Sequence, residues 1–347
     1  MRPDAATTSG AVDCPRIVRE GGQCVFCAAG QHAWMASHAQ VPRPLVLDDS
    51  IRIYFATRGQ PDGAGQFVSR IGFIDVARDD PRHVLAVSKR PALDAGGLGS
   101  FDAFGVMPAY ALRRGNEIWM YYTGWNRCID VPYTTAIGLA VSGDEGVTFQ
   151  RRSVGPLLGR TPDEPYLCNG PWLLRVGETW HMWYASATAW LATDDKPECR
   201  YVIMHAESDD LLHWRRDGRG CVPTVLPEEC QNAPAVLEVD GRYHMWFCYR
   251  QAIDFRNADR GYRLAHASSD DLATWRRQDG PLASLGSRGT WDAEMQCYPA
   301  VLDLDGQRYL FYCGNHFGRD GFGVVSLEWI PNTPRTLTTS QQGVCVT

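Results

Sequence analysis

The chain has 347 residues, 44% of them hydrophobic, with 34 Lys and Arg against 40 Asp and Glu and a net charge of −6. Its basic residues are scattered rather than striped, which excludes a nucleic-acid grip, and no apolar run approaches a membrane span. Length alone would suggest about two domains, but an internal repeat covers nearly the whole chain and argues for one.

The opening Met1-Arg-Pro-Asp-Ala-Ala-Thr-Thr-Ser-Gly10 lacks the apolar core of a secretory signal. A cytoplasmic protein is therefore expected, with residues 1–15 as a loose tail. Several of the twelve cysteines, among them Cys248, Cys297 and Cys313, fall in predicted strands at unrelated spacings. They read as buried free thiols of a reducing compartment. Cys24-Val-Phe-Cys27 has metal-ligand spacing but no second pair near it, so neither a metal nor a cofactor is expected.

From there the repeat runs to the carboxyl end. Pro42, Pro108, Pro171, Pro234 and Pro299 stand 63 to 66 residues apart, each opening a short apolar strand. About a dozen residues beyond each comes an aromatic pair: Tyr54-Phe55, Tyr121-Tyr122, Trp183-Tyr184, Trp246-Phe247 and Phe311-Tyr312. A third alternating stretch follows, as in Ala136-Ile-Gly-Leu-Ala-Val-Ser142, then a polar turn and an aromatic-basic strand such as Trp214-Arg-Arg216 or Trp275-Arg-Arg277. Four strands per unit and no room for helix predict an all-β, five-bladed β-propeller of four-stranded antiparallel blades.

In such a ring the innermost strand lacks a neighbour on one side, where the missing N–H of a proline is tolerated. Blades are expected to begin near residues 38, 101, 164, 229 and 292. The last repeat stops near Trp329, and Arg19-Glu-Gly-Gly-Gln-Cys-Val-Phe26 resembles the exit from blade three, Arg216-Asp-Gly-Arg-Gly-Cys-Val-Pro223. The amino-terminal strand is thus expected to close the ring and hide its edges. The propeller spans residues 16–330, and residues 331–347 form a second loose tail.

Residues preceding the prolines should crowd the channel mouth. They include His38 and Gln40; Asp102; Glu164 and Asn169; Glu229 and Asn232; and Asp292, Glu294 and Tyr298. Carboxylates and amides bind hydroxyls, and aromatic faces such as those of Trp125, Trp291 and Tyr298 cover the apolar side of a sugar ring. The same acids and amides also satisfy turn backbones. Arg58 and Arg250 end second strands, where they cap a blade or, with His38, hold a phosphate or carboxylate. His38 and His316 approach the axis without a clear third ligand. Ser142-Gly-Asp-Glu-Gly-Val-Thr-Phe149 fits the Asp-box of sialidases, a turn-stabilising element.

The five-bladed pattern resembles the superfamily of glycoside hydrolase families 43, 32, 68 and 130. Ser37-His-Ala-Gln-Val-Pro42, Ile51-Arg-Ile-Tyr-Phe-Ala-Thr-Arg58, Gly105-Val-Met-Pro108, Tyr121-Tyr-Thr-Gly-Trp-Asn126 and Tyr312-Cys-Gly-Asn-His-Phe-Gly318 look like a bacterial branch of it. The resemblance covers residues 16 to 330 and implies action on a small carbohydrate or glycosylated molecule.

The departures matter as much. Family 43 enzymes carry Asp before the first proline as base and Glu-Gly-Pro as acid, whereas this chain has Gln40-Val-Pro42 and Asn169-Gly-Pro171. Neither amide exchanges a proton near neutral pH. Asp102, Glu294 and Glu164 are the substitutes, Asp102 and Glu294 favoured by their aromatic surroundings, with Glu229 next. The leading expectation is glycosidic cleavage or transfer. Phosphorolysis, as in family 130, and sugar binding without catalysis are the alternatives, because fold alone does not choose among them.

Overall fold

The computed structural model describes residues 14–18, 24–63, 65–257, 259–278, 286 and 289–330. The tails expected at 1–15 and 331–347 lie outside these residues, apart from Cys14 and Pro15. Among the described residues the chain is 21 strands and one short helical turn at Asn315–Gly318. Among these residues no helix is long and apolar enough to cross a membrane.

The strands fall in antiparallel groups that follow the sequence repeat. Ahead of them stand β1 (Cys14–Val18) and β2 (Cys24–Phe26), whose partner comes from the far end of the chain. The first run is β3 (Ser37–Val46), β4 (Ile51–Arg58), β5 (Ser69–Val76) and β6 (Val84–Val87). Next come β7 (Gly105–Arg114), β8 (Glu117–Arg127), β9 (Tyr133–Ser142) and β10 (Gln150–Arg151). A single parallel bridge, Ser69 to Gly105, joins these two runs into one sheet. β11 (Cys168–Val176), β12 (Thr179–Leu191), β13 (Glu198–Ser208) and β14 (Arg215–Gly220) form a separate four-stranded sheet. So do β15 (Glu229–Val239), β16 (Arg242–Gln251), β17 (Arg263–Ser269) and β18 (Arg276–Gln278). The last sheet holds β19 (Cys297–Leu304), β20 (Gln307–Cys313) and β21 (Phe322–Ile330). β1 pairs antiparallel with β21 from Cys14 opposite Ile330 to Val18 opposite Ser326, and β2 pairs with β21 as well.

Tight turns set the register. Asp240-Gly241 and Asp305-Gly306 join the first two strands of their groups with both residues left-handed, the conformation whose twist matches that of the flanking strands. Second strands are sandwiched on both faces. β4 is buried from Ile51 to Thr57, which is why these strands read as unbroken apolar and aromatic runs instead of alternating. Tyr54, Phe55, Tyr121, Trp183, Tyr184, Trp246, Phe247, Phe311 and Tyr312 are fully enclosed.

The Asp-box is a turn fastener. Ser142 Oγ accepts from Gly146 N at 2.9 Å while Asp144 accepts from Thr148 N at 2.9 Å, and Ser208 with Asp210 and Ser269 with Asp271 repeat the arrangement. Ten cysteines from Cys24 to Cys313 are free thiols, six of them buried.

Candidate functional site

The prolines lie on β3, β7, β11, β15 and β19, each the first strand of its group. At every one the ladder to the second strand skips register, between Gln40 and Arg43, Pro108 and Tyr110, Asn169 and Trp172, Asn232 and Ala235, and Cys297 and Ala300. The residue just before the proline is left-handed in four units: Val41 (φ 58°), Gly170 (φ 59°), Ala233 (φ 52°) and Tyr298 (φ 55°). A residue preceding proline ordinarily stays extended, and a β-branched residue with positive φ is strained. Such strain gathers where side chains must be aimed. Gly170 serves this in a second way, because a Cβ there would lie 3.2 Å from Asn232 Oδ1.

The bulges frame a central cavity of about 250 Å³. Gln40, Met107, Asn169, Asn232 and Tyr298 line it, one from each group's first strand. Arg58, Trp125 and Arg250, from the ends of the second strands, and Tyr133, Tyr201 and Tyr262 complete most of the wall. Arg43 also lines it, with Phe255, Arg256 and Phe317. Equivalent positions of successive repeats therefore build one site.

Its polar groups are chiefly amides, phenols and guanidiniums, with the Thr123 hydroxyl and the Trp125 indole. Gln40 Nε2 donates to the Phe317 carbonyl at 2.6 Å, while its Oε1 is buried without a partner. Asn232 Oδ1 accepts from Ala233 N at 2.7 Å. The hydroxyls of Tyr201 and Tyr262 hydrogen-bond to each other, and Arg250 Nη2 donates to Tyr201 at 2.9 Å. Burial pushes the Tyr262 phenol up to about 12 and raises Tyr201 and Tyr298 too, so all three stay protonated. Among the described residues no carboxylate lines the cavity.

An outer chamber of about 380 Å³ shares Arg58, Arg256 and Phe317 with it and adds His38, Phe67, Glu294, His316 and Arg319. Glu294 is exposed there. Burial, followed by the charges of Arg58, Arg319 and His316, holds the His38 imidazole down to about 3, so it is neutral at pH 7.

The other candidate acids are not among the residues that line the cavity or the chamber. Asp102 is fully buried and accepts from Tyr122 Oη at 3.0 Å, Arg151 Nε at 2.7 Å and Ser100 Oγ at 2.8 Å. Glu164 takes the hydroxyls of Tyr184 at 2.8 Å and Ser186 at 2.7 Å, with Arg216 beside it at 3.5 Å. Glu229 meets Arg277 at 2.6 Å and Gln231 at 2.9 Å. Asp292, expected to touch substrate, is fully buried and takes Tyr312 Oη at 2.7 Å and Thr290 Oγ1 at 2.6 Å. The physical reason is valence: each of these carboxylates is already engaged by donors of its own repeat.

The structure thus brings Gln40, Arg58, Trp125, Asn169, Asn232, Arg250 and Tyr298 to one cavity, and sets His38, His316 and Glu294 in the adjoining chamber. The sequence reading missed Arg43, Tyr201 and Tyr262. Arg43 carried a usable signal, a charge directly after the first repeat's proline within an apolar inner strand.

Solved structures share this architecture at low sequence identity. BT0996 in complex with RGII matches with a TM-score of 0.67 and 15% identity, over 91% of this protein and 91% of its own length. A structure from the GH130 family of mannoside phosphorylases and glycoside hydrolases gives 0.66 at 15% identity, over 92% of this protein and 95% of its own length. A thermostable family-43 glycoside hydrolase gives 0.59 at 16%, over 84% and 89%. The fold is that of the propeller-type glycoside hydrolases. No protein-family model matches the chain. At the level of sequence it is 35% identical over 307 residues to the uncharacterised proteins Rv1502 and MT1551 of two Mycobacterium tuberculosis strains, covering 88% of this chain and 97% of each relative. The chain belongs to the family of these mycobacterial proteins.

Proposed function

We propose that residues 16–330 form one five-bladed propeller, closed by its amino-terminal strand, whose axial cavity holds a small carbohydrate or glycosylated molecule. Five repeated strand groups and the pairing of β1 with β21 support the architecture. The amides of Gln40, Asn169 and Asn232 beside Trp125 and Tyr298 suit sugar hydroxyls and a sugar face. One observation carries the functional reading: no described carboxylate lines this cavity. Glycosidic hydrolysis by two carboxyls needs them roughly 5 to 9.5 Å apart across the scissile bond, and Asp102 and Glu164 are spent on their own repeats. The chain is therefore a carbohydrate-binding propeller. Its free thiols suit a reducing, cytoplasmic setting.

A second reading has its own support. Arg58 and Arg256 line both the cavity and the chamber that holds Glu294, so one acid and an anion cradle adjoin, as phosphorolysis or glycosyl transfer requires. Titration calorimetry against mono- and oligosaccharides, run alongside turnover assays with and without inorganic phosphate, decides the matter. Binding without turnover is expected. Turnover that needs phosphate and vanishes in Glu294→Gln replaces the binding reading with the phosphorylase one, and no binding of any saccharide overturns both.

A further inference from the structure

Two buried arginines face the central cavity without a counter-ion. Arg250 is 3% exposed and Arg43 is 1% exposed. Arg250 Nη1 donates to the carbonyls of Gln251 at 2.7 Å and Ala252 at 3.2 Å, and Nη2 to Tyr201, leaving Nε without a partner. Arg43 Nη1 donates to the carbonyls of Pro42 at 2.9 Å and Pro299 at 3.0 Å, leaving Nε and Nη2 without partners. Neither meets a carboxylate among the described residues.

Among the described residues the other buried arginine side chains are paired with carboxylates, and the half-buried Arg151 is as well. Arg277 lies 2.6 Å from Glu229, Arg52 lies 2.7 Å from Asp75, and Arg151 lies 2.7 Å from Asp102. Both exceptions line the cavity framed by the five first strands. A buried cation without a partner is strongly unfavourable, because its lost hydration is not repaid. Deprotonation gives no escape: burial lowers Arg43 only to about 10, well above neutral pH. Aromatic faces offset part of the cost, with Phe255 3.5 Å from the Arg250 guanidinium and Trp172 5.8 Å from that of Arg43. The phenols beside Arg250 are protonated and supply no negative charge.

We infer that the cavity recognises an acidic sugar, one bearing a carboxylate or phosphate group that the guanidiniums of Arg43 and Arg250 receive. The inference rests on the carbohydrate reading and narrows it. A guanidinium fork matches either oxyanion with paired, charge-assisted hydrogen bonds. The free Gln40 Oε1 on the same wall accepts a hydrogen bond from a ligand hydroxyl, so the cavity offers both halves of the recognition. Arg58, also on the wall, adds to the positive field at the entrance from the outer chamber.

Calorimetric titration at fixed ionic strength tests this with four probes: a hexuronate, a hexose phosphate, the neutral parent hexose and inorganic phosphate alone. At least one charged sugar should bind about tenfold tighter than its parent or better, the scale of a charge-assisted pair. Arg250→Met and Arg43→Met should each collapse that preference, so that charged and neutral sugars bind alike. If Arg250→Met does not fold, Arg250→Lys keeps the charge without the fork and should retain only part of the preference. Equal binding of charged and neutral sugars by the wild type overturns the inference and leaves the carbohydrate reading standing. Arginine-dependent binding of phosphate with no sugar bound upholds the anion site and overturns the carbohydrate reading. No binding by any probe overturns both.

Discussion

Asp102 and Tyr122 share a buried hydrogen bond of 3.0 Å across twenty residues of sequence, and Glu164 with Tyr184 and Asp292 with Tyr312 repeat it at the same separation, at 2.8 and 2.7 Å. Each tyrosine is the second member of an aromatic pair, and each acid precedes a first strand. The carboxylate fastens the approach to the inner strand onto the middle of its own sheet. In two of these units an arginine from the outermost strand, Arg151 or Arg216, joins the pair.

Removing such a fastener should destabilise the fold, because at Asp102 it leaves the buried Tyr122 phenol without an acceptor and the half-buried Arg151 without its carboxylate. Asp102→Ala is expected to lower unfolding free energy by about 3 kcal/mol or more, read by urea denaturation. Unchanged stability would show that the clamp is not structural.

Gln40 stands where the resemblance to family 43 would place a carboxylate, and its hydrogen bond suits an amide. Its Nε2 donates to the Phe317 carbonyl at 2.6 Å, a contact a carboxylate oxygen would turn repulsive. Gln40→Glu should cost about 1–3 kcal/mol and confer no glycosidase activity. A variant that melts like the wild type would contradict this account.

Acid should weaken the fold through its buried histidines. Burial, followed by His244, lowers His266 from 6.5 to about 3, and burial, followed by His181, lowers His205 to about 4. His38 behaves likewise, at about 3. Each is neutral when folded and protonates more readily when unfolded, so its contribution is complete above about pH 6.5 and is lost as pH falls toward 3–4. For fully buried His266 alone the slope is about 1.4 kcal/mol per pH unit within that window. Denaturant midpoints measured from pH 7.5 to 4.5 should fall steadily below 6.5; a flat profile would be the contrary result.

The thiols should be slow to react. Burial pushes Cys168, Cys199 and Cys248 up to about 12, and thiolate is the reactive form. With a bulky alkylating reagent at pH 8, mass spectrometry of the native protein should find these three unmodified. Prompt labelling of any of them would place it outside the core.

Much of the fold was legible because proline, aromatic pair and Asp-box recur at fixed spacing, and each reports a backbone requirement that survives in sequence. The placement of Gln40, Asn169, Asn232 and Tyr298 on one wall follows from the same repeat, because each sits beside a proline and its bulge. The roles of the acids were not legible. A carboxylate before a strand looks the same in sequence whether it faces solvent, substrate or a phenol twenty residues away. Tyr201 and Tyr262 were hidden because third strands carry no marker beyond alternation.

The pairing of β1 with β21 ties folding to the order of synthesis. The first described strand leaves the ribosome long before its partner exists, and a contact of that separation carries a large loop-closure cost. Until β21 has been made, β1 lacks the strand it pairs with and the sheet of β19 to β21 is incomplete. Synthesis of the last repeat is then the step after which β1 first has a partner to pair with.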